Sequence, residues 1–154
     1  MINYLVMKGQ LFEIYECQRG DYLSIIEVWE QSVRATHHFI TDADIAYFKP
    51  LILEQYLDHV KLFCTRDPNG KINAFLGVSE DKIEMLFVHP EYFGSGLGRK
   101  LLKFAIDQLQ AAKVDVNEQN EKAVGFYKHM GFKVTSRSAT DSLGKPFPIL
   151  HLSL

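Results

Sequence analysis

FGSGLGRKLL, residues 93–102, decides how the rest of the chain reads. Glycines stand at 94, 96 and 98, two basic residues follow, and an apolar run begins. Ahead of it lies IEMLFVHP, residues 83–90, an apolar stretch closed by a proline. The pattern is a strand, a glycine turn and the start of a helix. A helix start leaves backbone N–H groups unpaired and carries the positive end of the dipole, and glycine lets an anion approach them closely. The spacing is not the G-x-x-x-x-G-K-[ST] of a nucleotide P-loop, and G-x-G-x-G is one residue short of the dinucleotide fingerprint. Asp115 and Glu118, about 20 residues on, keep a dinucleotide in play. A strand-to-helix turn that holds no anion is the plain structural alternative.

Outward from this stretch the chain alternates elements of both kinds. LFEIYEC at 11–17 has the period of a strand. Tyr22, Ile25, Ile26, Trp29 and Val33 fall on one face of a helix capped by Asp21. Thr41 with Asp44 forms a capping box for a second helical stretch, which Pro50 is expected to divide in two, the second part reaching about His59. Strands at 60–66, 71–79 and 82–88 follow, the first two joined by the turn DPNG, which predicts an antiparallel meander. The glycine stretch opens a helix to about Ala112, with Leu97, Leu101, Phe104, Ala105 and Leu109 facing inward. KVDV at 113–116 is a strand, Asn120 caps a helix to Met130, and Gly131 ends it. FKVTSR and PILHLS supply two last strands around a polar loop at 140–148. The unit at 82–116 predicts a right-handed crossover between parallel strands. The expected fold is a mixed α/β (α+β) domain over 1–154. Its mostly antiparallel sheet has about six or seven strands, with helices on both faces.

Bulk properties narrow the function. A chain of 154 residues with 47% hydrophobic and 23% charged residues fits one soluble domain. Its net charge of −2 offers no basic excess for nucleic acid. The N-terminal MINYLVMKGQ is too short and too polar for a signal peptide, and no run of 18 apolar residues exists, so a cytoplasmic protein is expected, with no membrane partner. Cys17 and Cys64 lie in strand-like runs without metal-ligand spacing and read as small buried hydrophobes. The adjacent pair His37-His38 has no third ligand nearby, so no metal is expected.

About 20 residues past the glycine turn comes NEQNEKAVGFYKHMGF, 117–132. The two together resemble the GCN5-related N-acetyltransferase superfamily, whose pattern runs V-x-P-x-x-x-G-x-G-x-G-x-x-L-L, then N-x-x-A-x-x-F-Y-x-x-x-G-F. SVRATHHFI at 32–40, the stretch 116–138 and LGKPFP at 143–148 look like the small bacterial YjaB-like acetyltransferases. The resemblance covers nearly the whole chain.

That resemblance implies a set of residues and roles. Acetyl-coenzyme A would be the donor, its pyrophosphate on backbone N–H groups from Phe93 through Gly94, Ser95, Gly96, Leu97 and Gly98 to Arg99. The family usually has Arg or Gln where this chain has Phe93, which takes one polar side chain from the loop. The central parallel strands would splay, with the pantetheine arm along the edge at Leu86, Phe87 and Val88 and an N–H near Leu86 facing the thioester oxygen. Asn117 and Asn120 would contact the coenzyme arm, with a plain helix cap as the alternative for Asn120. Phe126 would join the donor site. Tyr127 would protonate the leaving thiolate, although its spacing with Ala123, Phe126 and Met130 equally suits a core tyrosine.

Proton arithmetic asks for a base or a water chain as well. An amine of pKa about 10.4 costs roughly 4.6 kcal/mol to deprotonate at pH 7, while a thiol near 8.5 needs only about 2. Glu84 is the first candidate, because strict alternation puts it on the face of Leu86 and Val88; a solvent-facing residue is its alternative. His37, between the first two helices, is the second: it could bind the acceptor or relay its proton, or merely cap its helix. The expected activity is acetyl transfer to a primary amine by direct attack in a ternary complex, on a monomer or homodimer. Two rivals stay open: a non-catalytic acyl-coenzyme A sensor, which Phe93 favours, and a dinucleotide enzyme, which the glycine spacing disfavours.

Overall fold

The structure is a computed structural model that describes residues 3–7 and 10–154, with side chains from Glu13 onward. Eight strands form one sheet: β1 Asn3–Met7, β2 Gln10–Glu16, β3 Lys61–Arg66, β4 Ile72–Ser79, β5 Lys82–Val88, β6 Lys113–Asn117, β7 Lys133–Ser138 and β8 Ile149–Ser153. Their spatial order is β1-β2-β3-β4-β5-β6-β8-β7. Every neighbouring pair is antiparallel except β5 and β6, which are parallel. The helices are α1 Tyr22–Thr36, α2 Asp42–Leu51, α3 Leu97–Leu109 and α4 Glu121–His129.

The meander and the parallel pair match the sequence expectation. The edge strand β1 was not read from the sequence. Two other expectations need correcting. Pro50 does not split a helix in two: the chain stays helical through it to Leu51 and widens into a π-type turn at Ile52–Tyr56. Proline removes one helical N–H, and the Ile52 N–H beyond it reaches both the Phe48 and Lys49 carbonyls. The helix after the glycine turn stops at Leu109 rather than Ala112, because Gln110 turns left-handed (φ 54°) and the Ala111 N–H caps Ala105 O at 3.0 Å.

Helical spacing buries one stripe of each helix against a different face of the sheet. Ile25, Trp29, Val33 and Ile45 pack with Leu62, Cys64, Ile72 and Phe75 on one side. Leu97, Leu101, Phe104, Ala105 and Tyr127 pack with Ile14, Phe63, Ala74 and Leu76 on the other. β4 lies between the two cores and is buried from Ile72 to Val78, which explains its nearly unbroken apolar run. Each fully buried Leu or Ile contributes about 1.5–3 kcal/mol, so the sheet is clamped at its centre.

The sheet opens at that same centre. β5 and β6 pair only at Lys82–Lys113 and Ile83–Val114. Beyond them the strands part. The cause lies in β5: Gly77 pairs with Met85 and Val78 with Ile83, leaving Glu84 as an extra residue. Such a bulge bends its strand. The joined end is pinned by Lys82 Nζ on Asp115 Oδ2 at 2.6 Å.

Candidate active site

The parted strands enclose a wedge of about 160 Å³, lined among others by His37, Leu86, Asn117, Asn120, Ala123 and Tyr127. Segments 83 residues apart therefore meet there. Phe87 also lines it, but Val88 and Phe126 do not: both pack against the core on the α3 side.

At the far end of β5 the glycine turn leads into α3. Gly94 and Gly96 are left-handed, with φ 74° and 85°, a conformation that side chains resist. The seven N–H groups from Phe93 to Arg99 fall into two sets. Phe93 N–H bonds Pro90 O, Ser95 N–H bonds Tyr92 O, and Leu97 N–H bonds Ser95 Oγ. Among the described residues, the N–H groups of Gly94, Gly96, Gly98 and Arg99 find no protein acceptor. This donor set at a helix start fits a diphosphate. A Cβ at Gly94 would meet nothing within 4 Å, so the space above the loop is open. Phe93 is 45% exposed and leaves the loop without a cationic side chain there.

Tyr127 combines both readings offered by its sequence. Its ring is core, edge-on to Phe126 at 5.1 Å and to Phe132 at 5.6 Å. Yet it lines the wedge, and among the described residues its hydroxyl makes no hydrogen bond. Burial raises its pKa well above the usual range, so the phenol stays protonated. It can donate a hydrogen bond to an atom in the wedge.

Asn120 is both the α4 cap, Oδ1 accepting from Ala123 N–H at 3.2 Å, and a wedge residue. Its Nδ2 lies 3.4 Å from His37 Nε2. Asn117 closes the turn before α4, its Oδ1 accepting from Gln119 N–H at 2.9 Å. The hydrogen bonds around His37 fix its tautomer. Thr36 Oγ1 gives its proton to Ser32 O at 2.8 Å, so it must accept from His37 Nδ1–H at 2.7 Å. Nε2 is then the lone-pair nitrogen and faces the Asn120 amide. Burial, and the neighbouring His38, push the His37 pKa down to about 4. A neutral His37 of that pKa is a poor base for an ammonium: the gap of about 6 units costs roughly 9 kcal/mol. It serves better as a hydrogen-bond acceptor.

Beside the wedge, on the α1 and α2 side, opens a cavity of about 410 Å³ walled by Trp29, Phe48, Ile52, Tyr56 and Phe87. Glu84, Met85 and Phe87 line both spaces. The alternation argument for Glu84 is thereby corrected. Ile83, Leu86 and Val88 pack toward α3, while Met85 and Phe87 pack toward α1. The bulge breaks the period at Glu84, which is exposed at the boundary of the two spaces. Phe39, Phe48 and Phe147 form a tilted aromatic cluster over this side, with centroids 6.0 and 6.3 Å apart. The segments that hold Phe39, Phe48 and Phe147 therefore meet on this side. The contribution of Ile52 and Tyr56 was missed, because only the turn after Pro50 brings them to the wall. Among the described residues, no group of three or more His, Cys, Asp or Glu side chains is placed to hold a metal, and no helix is long and apolar enough to cross a membrane.

Comparison with known proteins shows the family and the fold. A family model described as an acetyltransferase (GNAT) domain matches residues 30–144. The peptidyl-lysine N-acetyltransferase YjaB of Salmonella typhimurium is 38% identical over 128 residues, covering 83% of this chain and 88% of that protein. The solution structure of apo-form YjaB from Escherichia coli superposes with a TM-score of 0.85 at 34% identity, covering 94% of this chain and 97% of that one. The PaiA N-acetyltransferase of Thermoplasma acidophilum, solved with coenzyme A, shares the fold: TM-score 0.72, 21% identity, 93% and 99% coverage.

Proposed function

The chain belongs to the GNAT acetyltransferase family and uses acetyl-coenzyme A, and from that premise we propose that its acceptor is a peptide or protein lysine, acetylated by direct attack in a ternary complex. The observation that carries this reading is the shared wall: Glu84, Met85 and Phe87 separate the wedge between β5 and β6 from an aromatic cavity. A lysine side chain is a long apolar stem with a charged tip. The aromatic cavity suits the stem, and Glu84 at the boundary suits the tip.

When bound, acetyl-coenzyme A supplies an acetyl thioester. The N–H groups of Gly94, Gly96, Gly98 and Arg99 would hold its diphosphate. The backbone of β5 near Leu86 would donate to the carbonyl oxygen as negative charge develops there. Glu84 accepts a hydrogen bond from the acceptor's ammonium, directly or through water, and guides its proton to solvent; the neutral amine itself costs roughly 4.6 kcal/mol at pH 7. Tyr127 donates a hydrogen bond to the departing sulfur. Asn120 and His37 keep the wedge polar without adding charge.

Cys17 and Cys64 line neither space, which supports direct transfer over a cysteine-bound acyl group. Both are free thiols, which suits a reducing compartment such as the cytoplasm. All the named groups come from one chain, so a monomer or a homodimer serves equally.

The experiment is acetylation of lysine peptides, read by mass spectrometry. Acetyl on Nε with matching release of thiol is the expected result. Acetylation of peptide N-termini or polyamines alone would replace lysine as the acceptor.

A further inference from the structure

A second constellation lies on the last three strands; its Asp115 also lines the wedge, while its His151 and Ser138 do not. Asp115 on β6 is opposite His151 on β8, and Asp115 Oδ1 lies 2.7 Å from His151 Nδ1. On the other side of the ring, His151 Nε2 lies 2.7 Å from Ser138 Oγ, the last residue of β7. The second oxygen of Asp115 is occupied by Lys82 Nζ at 2.6 Å. Three residues distant in sequence thus form a carboxylate–imidazole–hydroxyl chain.

The hydrogen-bond roles in that chain are determined. Burial would raise the Asp115 pKa, but the hydrogen bonds from Lys82 and His151 outweigh it and hold the carboxyl below its usual range. Ionised, it can only accept. His151 therefore carries its proton on Nδ1 in the neutral state. Nε2 is left to accept from Ser138 O–H. This is the arrangement in which a carboxylate sets the tautomer, an imidazole acts as base and a serine becomes nucleophilic, whatever the fold that carries it.

Two further observations fit a reactive serine. First, the group is reachable: the Asp115 and His151 side chains are 34% and 33% exposed, and Ser138 is partly exposed. Second, the strand ends at Ser138. Among the described residues, the N–H groups of Ala139 and Thr140 that follow it have no acceptor. A free N–H directly after a nucleophile is where an acyl-transfer site takes an oxyanion donor.

We propose that Ser138, His151 and Asp115 form a second acyl-transfer site that hydrolyses small carboxylic esters independently of the acetyl-coenzyme A wedge. Ser138 Oγ attacks the ester carbonyl carbon while its proton passes to His151 Nε2. The alcohol or phenol leaves with that proton, and Ser138 carries the acyl group as an ester. Water then attacks the ester carbonyl, giving one proton to His151 Nε2. The acyl–Oγ bond breaks, Oγ recovers that proton, and the free carboxylic acid departs.

The test uses the full-length protein without acetyl-coenzyme A, with p-nitrophenyl acetate as substrate and a fluorophosphonate as active-serine probe. The wild type should release p-nitrophenolate, and mass spectrometry should find the phosphonate on Ser138. Ser138→Ala and His151→Asn should each lower ester hydrolysis at least 10-fold. Ser138→Ala should keep the wild-type melting temperature and wild-type amine acetylation, which separates this site from the wedge. Ester hydrolysis unchanged in Ser138→Ala would overturn the proposal. So would a wild-type protein left unlabelled at Ser138, a result that needs no variant to fold.

Discussion

The unprotonated Nε2 of His37, at the end of α1, lies 3.4 Å from the side-chain amide nitrogen of Asn120, which caps α4 on the far side of the wedge. One imidazole thus joins the acceptor side of the molecule to the donor side, and it must be neutral to do so. With both nitrogens protonated, Nε2–H would point at an amide N–H.

This contact predicts a pH dependence of stability. The folded His37 pKa is lowered from 6.5 to about 4. Between those values the unfolded chain binds the proton and the folded chain does not, so stability falls as pH drops from about 6.5 to 4. The loss approaches 3 kcal/mol, and above pH 7 this residue gives no slope. Asp21, Glu30, Asp44, Asp115 and Glu118 have lowered pKa values as well, but they cost stability only as pH falls through the ordinary carboxylate range. Urea melts at pH 5 to 7 should therefore show a slope in the wild type. His37→Asn should flatten it.

Tyr127→Phe should slow acetyl transfer about 10²-fold while coenzyme A affinity stays within a few-fold. The ring keeps its contacts with Phe126 and Phe132, so folding should be nearly unaffected. Steady-state kinetics with calorimetric titration of coenzyme A separates the two effects. Unchanged turnover would return Tyr127 to a purely core role.

In the glycine turn, Gly96→Ala should cost about 1 kcal/mol of stability, because Ala must adopt φ 85° there. It should also weaken coenzyme A by 10-fold or more, since relaxing the turn re-aims the free N–H groups of Gly96 and Gly98. Phe93→Arg should act in the opposite sense. The position is 45% exposed beside the same donors, so an added cation should tighten binding a few-fold at low salt. Titrations at two ionic strengths check both variants.

Glu84→Gln should lower kcat by 10- to 100-fold with coenzyme A binding unchanged. The shape is nearly preserved and Lys82 keeps Asp115, so the bulge should persist. Equal turnover in Glu84→Gln would remove Glu84 from the proton's path to solvent.

The parts of this account that rest on local pattern could be read from the chain. The glycine turn, the Asn120 cap and the α3 stripe are each set within one or two helical turns, and the spacing of hydrophobic residues carries them. The site's other half depends on register and distance. Glu84 alternates correctly in sequence, and only its pairing with Gly77 and Val78 of β4 shows that it is the extra residue. The His37–Asn120 contact spans 83 residues, and no local pattern encodes it. Asp115, His151 and Ser138 sit on three strands brought together by the order β6-β8-β7, which itself required knowing that the last hairpin inserts β8 next to β6. Pro50 misled because its effect on a helix's last turn differs from its effect in a helix interior.

The most direct test of the central claim is incubation of the protein with acetyl-coenzyme A and a lysine peptide, following free thiol and the peptide's mass together. The account predicts thiol release that depends on the peptide, one acetyl on lysine Nε per thiol, and no acetylated protein intermediate. Thiol release without the peptide, with acetyl retained on the protein, would contradict direct transfer across the wall formed by Glu84, Met85 and Phe87.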